Sequence, residues 1–346
     1  MKKKFKVLII VGSCVFTLAL SAFGVAYFTL LHHYKGKKVV NEWHETDTFD
    51  INKIKTVEKK PGEDFVILNL ADVQICDLGD TFNNYKLHNY ITKLVDTYHP
   101  NLITLSGDQT WSNENLISLK SIISWLDGYK IPYAPIFGNH DYGNEYNSAV
   151  ASLNYCCDLY EGGKYSLFDR GPTNIECLGN YAINIKEGDK ILTTLYMMDL
   201  GYLTKITDGQ KGWFKWTADG IKENNNGTYT NGIVMTHKEL PECYDAYRHY
   251  LNDNSIAEGD VIVHMGFAYV ENTGFVDLAK SCGVYDFMSG HEHYNNFTLH
   301  HEGARFTFMV KTGEFFDTYQ DENVHLCGAT TINISEDKPV IKHHYI

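Results

Sequence analysis

Short apolar runs alternate with longer amphipathic runs through residues 64–137 of the chain. The apolar runs have the length of buried strands, and the longer runs suit helices at Leu87–Tyr98 and Asn115–Leu126. Three strands are predicted in this half, at Asp64–Asp72, Asn101–Asp108 and Ile131–Phe137. The resulting β-α-β-α-β order predicts parallel strands joined by right-handed crossovers.

The second half of the chain is richer in strand-like runs. Helices are predicted at Trp213–Asn224 and Glu239–Tyr250. Near the C-terminus, His343 and His344 are expected to be exposed to solvent. Strands are predicted at Gly179–Ile185, Ile191–Leu200, Gly232–Thr236, Val284–Met288, Phe297–His301, Arg305–Lys311 and Val324–Ile334. No internal repeat or low-complexity segment divides the sequence, so one α/β domain with two sheets fits the pattern better than two domains.

Polar residues directly follow five of the predicted strands. They are Asp72-Val73-Gln74, Gly107-Asp108, Gly138-Asn139-His140-Asp141, His237 and Gly290-His291-Glu292-His293. Each set alone could be a turn or a histidine satisfied in the core. Open α/β sheets bind ligands at the carboxyl ends of their strands, so we expect the five sets to lie together. Two aspartates, one asparagine and three histidines could hold two divalent metals through mixed oxygen and nitrogen ligands.

The N-terminus has the pattern of a targeting segment. A basic start is followed by residues 7–31 without a charge, which is longer than the ~7–15 residues of a signal-peptide core and long enough to cross a bilayer. An uncleaved signal anchor is predicted, with cleavage near Gly24–Ala26 as the alternative. The slight excess of positive charge before the segment places the body outside the cytoplasm. The predicted organisation is residues 1–38 as targeting and transmembrane segment, 39–62 as a polar linker and 63–346 as the α/β domain.

The charge of the body limits its partners. Residues 1–38 hold seven of the 30 basic residues and none of the 43 acidic ones, which leaves a net charge of −20 on the remainder. Such a surface repels polyanions, so nucleic acid is not an expected partner. A small phosphorylated ligand remains compatible with this charge if a local cation receives it. No protein partner is indicated.

The cysteines indicate no thiolate metal site. Of eight cysteines, seven lie after the N-terminal segment, and no CxxC pair occurs. An oxidising location would permit a disulfide between Cys177 and either Cys156 or Cys157, and the sequence does not determine the pairing.

The five strand-end sets resemble, in order, the motifs of the calcineurin-like metallophosphoesterases, which run D-x-H, G-D, G-N-H-[DE], H and G-H-x-H. The resemblance spans Phe65–Thr312 and is closest to the purple-acid-phosphatase-like and phosphodiesterase branch, in segments such as SGDQT, THKELPE and GHEHYNNF. The protein-phosphatase branch is disfavoured because it carries aspartate and arginine after G-D and ends its third motif in glutamate. This chain has Gln109, Thr110 and Asp141 at those positions. No tyrosine follows the G-D motif closely, so an iron-tyrosinate chromophore is not expected.

The resemblance implies a four-layer α/β/β/α sandwich after an N-terminal transmembrane helix, and it implies a role for each residue of the site. Asp72, Asp108 and His293 would hold one metal, and Asp108 would bridge to a second metal held by Asn139, His237 and His291. His140 would assist the leaving group. The metals would be two divalent ions among manganese, zinc, iron, magnesium and calcium.

Gln74 is the one departure from the family motifs, since it stands where the first motif has histidine. Its neutral amide oxygen could bind manganese, magnesium or calcium, or act through a water, or the first metal site could be weakened.

The function implied is hydrolysis of a small phosphate diester or monoester by in-line attack of a metal-bridging hydroxide. The expected location is a membrane-anchored protein with an extracytoplasmic catalytic domain, secreted if the signal is cleaved. The alternative is a non-catalytic surface protein of the same fold that binds a phosphorylated ligand or a single metal, and only Gln74 supports it.

Overall fold

Two mixed β-sheets form the centre of this computed structural model, which describes residues 16–26, 36–75, 81–111, 115–142, 153–313, 327–335 and 338–345. The strands run in chain order β1 (Lys55–Glu58), β2 (Phe65–Leu70), β3 (Leu102–Ser106), β4 (Tyr133–Ile136), β5 (Tyr181–Glu187), β6 (Lys190–Met197), β7 (Gly232–Met235), β8 (Ile262–Val263), β9 (Val284–Ser289), β10 (Asn295–His301), β11 (Ala304–Phe308), β12 (Gly328–Ile334) and β13 (Val340–Tyr345). The smaller sheet has the order β13-β12-β2-β3-β4, and the larger has the order β1-β5-β6-β7-β9-β11-β10-β8.

Parallel pairing at the centre of each sheet places several strand ends on the same side. β2, β3 and β4 are mutually parallel in the smaller sheet, and β6, β7, β9 and β11 are parallel neighbours in the larger one. The remaining pairs are antiparallel except β1 with β5. The predicted β-α-β-α-β unit is confirmed.

Helices cover the outer face of each sheet. They are α1 (Thr81–Tyr98), α2 (Asn115–Tyr129), α3 (Leu153–Glu161), α4 (Asp208–Glu223), α5 (Pro241–Tyr250) and α6 (Phe275–Ser281), and short 3₁₀ turns lie at Ile51–Lys53 and Asn254–Ile256. α4 begins with a capping box in which Thr207 and Gln210 satisfy each other's backbone N–H groups.

Alternating side chains of the larger sheet divide the apolar residues into two cores. Ile183 and Leu195 belong to the core shared with the smaller sheet, α1 and α2, whereas Ala182 and Tyr196 belong to the core under α4, α5 and α6. This layering is consistent with the predicted α/β/β/α sandwich.

Residues 39–62, predicted as a linker, contribute to the fold. β1 lies in this segment and pairs with β5, and the Trp43 and Phe49 rings pack edge-on against Trp216 with ring centroids 6.0 and 5.1 Å apart. The strand was not predicted because its four residues, Lys55–Glu58, are mostly exposed and lack an apolar run. These residues therefore pack onto the domain and do not form a free tether.

The predicted membrane anchor is contradicted. In the part of the chain that the structure describes, no helix is long and apolar enough to cross a membrane. Residues 16–26 of the predicted span are helical. Residues 7–15 and 27–31 of that span lie outside the described residues. This finding corrects the predicted membrane-anchored location.

The disulfide that an oxidising location would permit is not formed. Cys156, Cys157 and Cys177 are all free, as are the other cysteines that the structure describes. Cys156 and Cys157 are buried on α3, a helix that the sequence analysis did not predict.

His343 is part of a hydrogen-bond network and not a solvated end. Its Nδ1 lies 3.1 Å from the Thr330 hydroxyl and 3.2 Å from the Asn296 amide nitrogen, and its Nε2 lies 3.1 Å from the Thr298 hydroxyl. Thr298 and Asn296 belong to β10 of the larger sheet, whereas His343 and Thr330 belong to the smaller one. The histidine therefore links the two sheets.

Stability should fall with acid because His343 is held neutral. Burial, with a smaller effect of His344, lowers its pKa from 6.5 to about 4, so the unfolded chain binds this proton more readily than the folded one. The neutral form stabilises the fold above pH 6.5, and this contribution is lost as the pH falls toward 4. Between pH 7 and pH 5 the loss is about 2 kcal/mol. Urea unfolding at both pH values should show a flatter pH dependence in His343→Gln than in the wild type or in His44→Gln at an exposed histidine. Equal slopes in all three proteins would contradict this assignment.

Candidate metal centre

The predicted ligands converge at the carboxyl ends of strands from both sheets. Asp72 and Gln74 follow β2, Asp108 follows β3, Asn139 and His140 follow β4, His237 follows β7, and His291 and His293 follow β9. Two sets of donor atoms within 4.8 Å of one another share Asp108: one adds His237 and His291, and the other adds Asp72 and His293. We call these the His237 group and the His293 group.

Around His237 Nε2, the side chains of the His237 group meet Asn139 from a further strand end. His237 Nε2 lies 3.3 Å from Asp108 Oδ2, 3.2 Å from Asn139 Oδ1 and 3.2 Å from His291 Nδ1. His237 Nδ1 lies 2.8 Å from the Ser106 carbonyl oxygen, which can only accept, so this nitrogen carries a hydrogen. The Ser106 carbonyl thereby fixes the ring with Nε2 directed at the other donors.

Each carboxylate has one oxygen held by the backbone and the other directed into the centre. Asp108 Oδ1 accepts from the N–H of His140 at 2.9 Å, and Asp72 Oδ2 accepts from the N–H of His291 at 3.0 Å. Both side chains are about 1% exposed. Asp72 Oδ1 is buried without a hydrogen-bond partner among the described residues, although His293 Nε2 lies 3.4 Å from it. A buried carboxylate oxygen in this state is suited to a cation.

Several candidate ligands have a left-handed backbone conformation. Asp72, Gln74, Asp108 and His291 have φ values of 48°, 50°, 49° and 77°. Such conformations cost of order 1–3 kcal/mol in non-glycine residues and persist where the surrounding structure fixes them, often at functional sites. Here they direct successive side chains into one small volume.

Two motif positions require glycine because the side chains of other ligands approach their backbone closely. A Cβ on Gly138 would lie 2.1 Å from Asp108 Oδ1, and a Cβ on Gly107 would lie 2.3 Å from His237 Nδ1. The glycine before each ligand therefore leaves room for the ligand of a neighbouring strand.

Asp141, the last residue of the third motif, has a structural role. Its carboxylate accepts from the N–H groups of Gly138, Thr110 and Gln109 at 2.8, 3.0 and 3.2 Å. These bonds tie the loop after β3 to the loop after β4 and so set Asp108 against Asn139.

The electrostatics of the centre favour added positive charge. Burial would raise the pKa of Asp108, but the neighbouring His237 and His140 hold it below its usual range. Burial would lower the pKa of His237, yet the Asp108 carboxylate raises it to about 10, while burial beside His237 lowers the pKa of His291 to about 3. In the protein alone, a protonated His237 balances the carboxylates, and a bound cation would supply that charge instead.

The surroundings of the His293 group differ from those of the His237 group. His293 Nε2 lies 3.0 Å from the Gln74 amide nitrogen and 3.4 Å from Asp72 Oδ1, and its Nδ1 lies 3.3 Å from Lys311 Nζ. Lys311 is only 3% exposed. The sequence analysis did not single out Lys311, and the only available signal was a lysine ending the apolar run ARFTFMVK.

His140 lies beside both groups and belongs to neither. Its Nε2 is 3.7 Å from Asp108 Oδ2, and its side chain is 27% exposed. The Trp111 ring, itself 45% exposed, packs against it with the centroids 4.1 Å apart. Burial lowers the pKa of His140. His140 is therefore placed at the open side of the centre.

The residues present suit divalent metals. Carboxylate, amide and imidazole donors are the ligands of Mn²⁺, Zn²⁺ and Fe²⁺ sites, and each group combines two buried side chains with one that is partly exposed. Neutral Asn139 and the histidines keep the negative charge of the centre low.

Comparisons with known proteins agree with the motifs. A family model described as calcineurin-like phosphoesterase matches residues 65–295. No curated protein sequence matches the chain. Among solved structures, TT1561 of Thermus thermophilus is 9% identical with a TM-score of 0.41, covering 81% of this chain and 99% of that one. Purple acid phosphatase PPD1 from seeds of yellow lupin (Lupinus luteus) is 11% identical with a TM-score of 0.41, covering 80% of this chain and 50% of that one. These two structural similarities are too low to carry a conclusion.

Proposed function

Because this chain belongs to the calcineurin-like phosphoesterase family, we propose that it hydrolyses a phosphate ester with the help of two divalent metal ions. The observation that carries the proposal is the buried Asp108 shared by two groups of metal-capable side chains. Two such ions, when bound, supply Lewis-acid chemistry that activates a water and stabilises charge in an in-line displacement.

The side chains divide between the two ions along the groups described above. The His237 group, with Asn139, would hold one ion through one carboxylate, one amide oxygen and two imidazoles. The His293 group would hold the other through Asp72, Asp108 and His293, with the Gln74 amide beside it. Asp108 would contribute to both.

His140 is the proposed general acid. It stands outside both groups, so its Nε2 is available to hold a proton near the leaving oxygen, and its ring is fixed by Trp111 on one side and by its own backbone bond to Asp108. Proton donation by a positioned histidine contributes roughly 10²–10⁴-fold to such a reaction.

The substrate proposed is a small phosphoester, with a diester favoured by the branch that the sequence motifs resemble. The acidic body, at −20 after residue 38, would repel an anionic substrate without bound cations. Metal ions at the centre would therefore serve substrate binding as well as reaction.

Hydrolysis should be abolished by removing metal and restored by returning it. The chain is stripped with a chelator, reloaded separately with Mn²⁺, Zn²⁺, Mg²⁺ and Ca²⁺, and assayed on p-nitrophenyl phosphate and bis(p-nitrophenyl) phosphate. We expect activity only after reloading, and faster turnover of the diester. Turnover of neither ester with any ion, in protein shown to be folded by circular dichroism, would overturn the proposal.

A non-catalytic protein of the same fold, binding a phosphorylated ligand or one metal, is the second candidate. The observation that favours it is that His293 Nε2 lies 3.0 Å from the Gln74 amide nitrogen and its Nδ1 lies 3.3 Å from Lys311 Nζ, two groups that add no negative charge. It predicts metal and phosphate binding by calorimetry without turnover, and a Gln74→His variant that gains activity.

A further inference from the structure

Two candidate metal-binding histidines differ in what their second ring nitrogen contacts. His237 Nδ1 faces the Ser106 carbonyl oxygen at 2.8 Å, whereas His293 Nδ1 faces Lys311 Nζ at 3.3 Å. A histidine that binds a metal through Nε2 carries its hydrogen on Nδ1 and usually donates it to an oxygen. The carbonyl beside His237 accepts that hydrogen. An ammonium only donates, so it disfavours the same state of His293.

Lys311 is held in place by the backbone around it. Ala71 and Lys311 form a parallel β-bridge, the N–H of Thr312 donates to the Ala71 carbonyl at 2.7 Å, and the N–H of Gly313 donates to the Asp72 carbonyl at 3.1 Å. The N–H of Gly328 donates to the Lys311 carbonyl at 2.7 Å. This segment is therefore paired to the strand end that carries Asp72, and the pairing places the buried Lys311 side chain beside the His293 group.

The charge of Lys311, like its hydrogen bonding, disfavours a metal ion in the His293 group. A dication in the His293 group would lie near an ammonium in a buried setting, where repulsion is screened less than in water. Gln74 adds no negative charge to offset it.

We propose that Lys311 makes the two groups bind metal unequally, so that a divalent ion fills the His237 group first and the His293 group only at higher concentration. The inference rests on the proposed metal-dependent function and concerns how that centre is loaded. At low metal the ammonium of Lys311 stands in for part of the charge of the second ion.

Titration of the metal-stripped full chain with Mn²⁺ tests the inference. Bound ions per chain are measured by equilibrium dialysis with elemental analysis, and electron paramagnetic resonance distinguishes an isolated Mn²⁺ from two coupled ions. We expect the wild type to take one ion as an isolated centre and a second at ten-fold or more higher concentration. Lys311→Gln, whose amide oxygen can accept from His293 Nδ1, should bind the second ion about 10- to 100-fold more tightly.

Matched variants separate the contact from general charge and from folding. Lys59→Met removes a largely buried lysine that follows β1, where its ammonium lies 3.1 Å from Glu187 Oε1, and it should leave the two affinities as far apart as in the wild type. Lys311→Met, which removes the charge without adding an acceptor, should give a smaller gain than Lys311→Gln.

Two results would overturn the inference alone: equal affinity for both ions in the wild type, or equal gains in Lys311→Gln and Lys59→Met. The wild-type titration decides this point even if a variant fails to fold. A chain that binds no ion at all would overturn the metal-dependent function together with the inference.

Discussion

An Asp108→Asn variant should lose at least about 10³-fold in kcat/KM for the metal-restored ester hydrolysis. The substitution keeps the shape of the side chain, and an amide oxygen can still accept the N–H of His140. It removes the one negative charge that both metal groups share, and the amide hydrogens would face His237 Nε2, now 3.3 Å from the Asp108 carboxylate. A loss of this size corresponds to about 4 kcal/mol of transition-state stabilisation, which is in the range of the charge stabilisation that bound metals supply.

Metal content and a matched substitution decide whether this loss comes from the centre. Asp189→Asn, in the exposed turn between β5 and β6, makes the same chemical change away from the site and should keep full activity. Bound metal per chain should fall in Asp108→Asn, while its urea midpoint stays within the range of the control. An Asp108→Asn protein with full metal content and more than a tenth of wild-type activity would remove Asp108 from the proposed role.

The centre could be predicted from the sequence because each part of it is local. Every predicted ligand lies within a few residues of the end of an apolar strand, and parallel pairing brings those ends together within each sheet. The glycines add to this local signal, since Gly107 and Gly138 each precede a ligand and leave room for a ligand from another strand.

Elements with weak local signals were missed. β1 is short and exposed, α3 lies in a stretch for which no element was predicted, and β13 is recognisable only by its pairing with β12. Strand β13 also explains His343, which looks like a solvated end in the sequence but is placed by that pairing against Thr330. Tertiary pairing, rather than composition, determines these positions.

Lys311, at the centre itself, is another residue whose position is determined by tertiary pairing. It lies far from every predicted ligand in the sequence, and its contact with His293 follows from the bridge to Ala71. Gln74, by contrast, was recognised as a departure from the family motif, but its partner in the structure could not be read from the motif. The prediction for the N-terminus was wrong for the opposite reason, because there the local signal was strong. The long uncharged run was interpreted as a membrane span, and no described helix provides one.

Replacing His140 with alanine should lower kcat by about 10²–10⁴-fold and leave bound metal unchanged, because His140 belongs to neither metal group. A general acid matters most when the leaving oxygen needs a proton. The loss should therefore be larger for an alkyl or unsubstituted phenyl ester than for a p-nitrophenyl ester, whose leaving group departs as a stable anion. His44→Ala, at an exposed histidine far along the chain, should change neither kcat nor this dependence. Equal losses for both leaving groups would show instead that His140 positions the substrate or Asp108, to which its backbone N–H already donates.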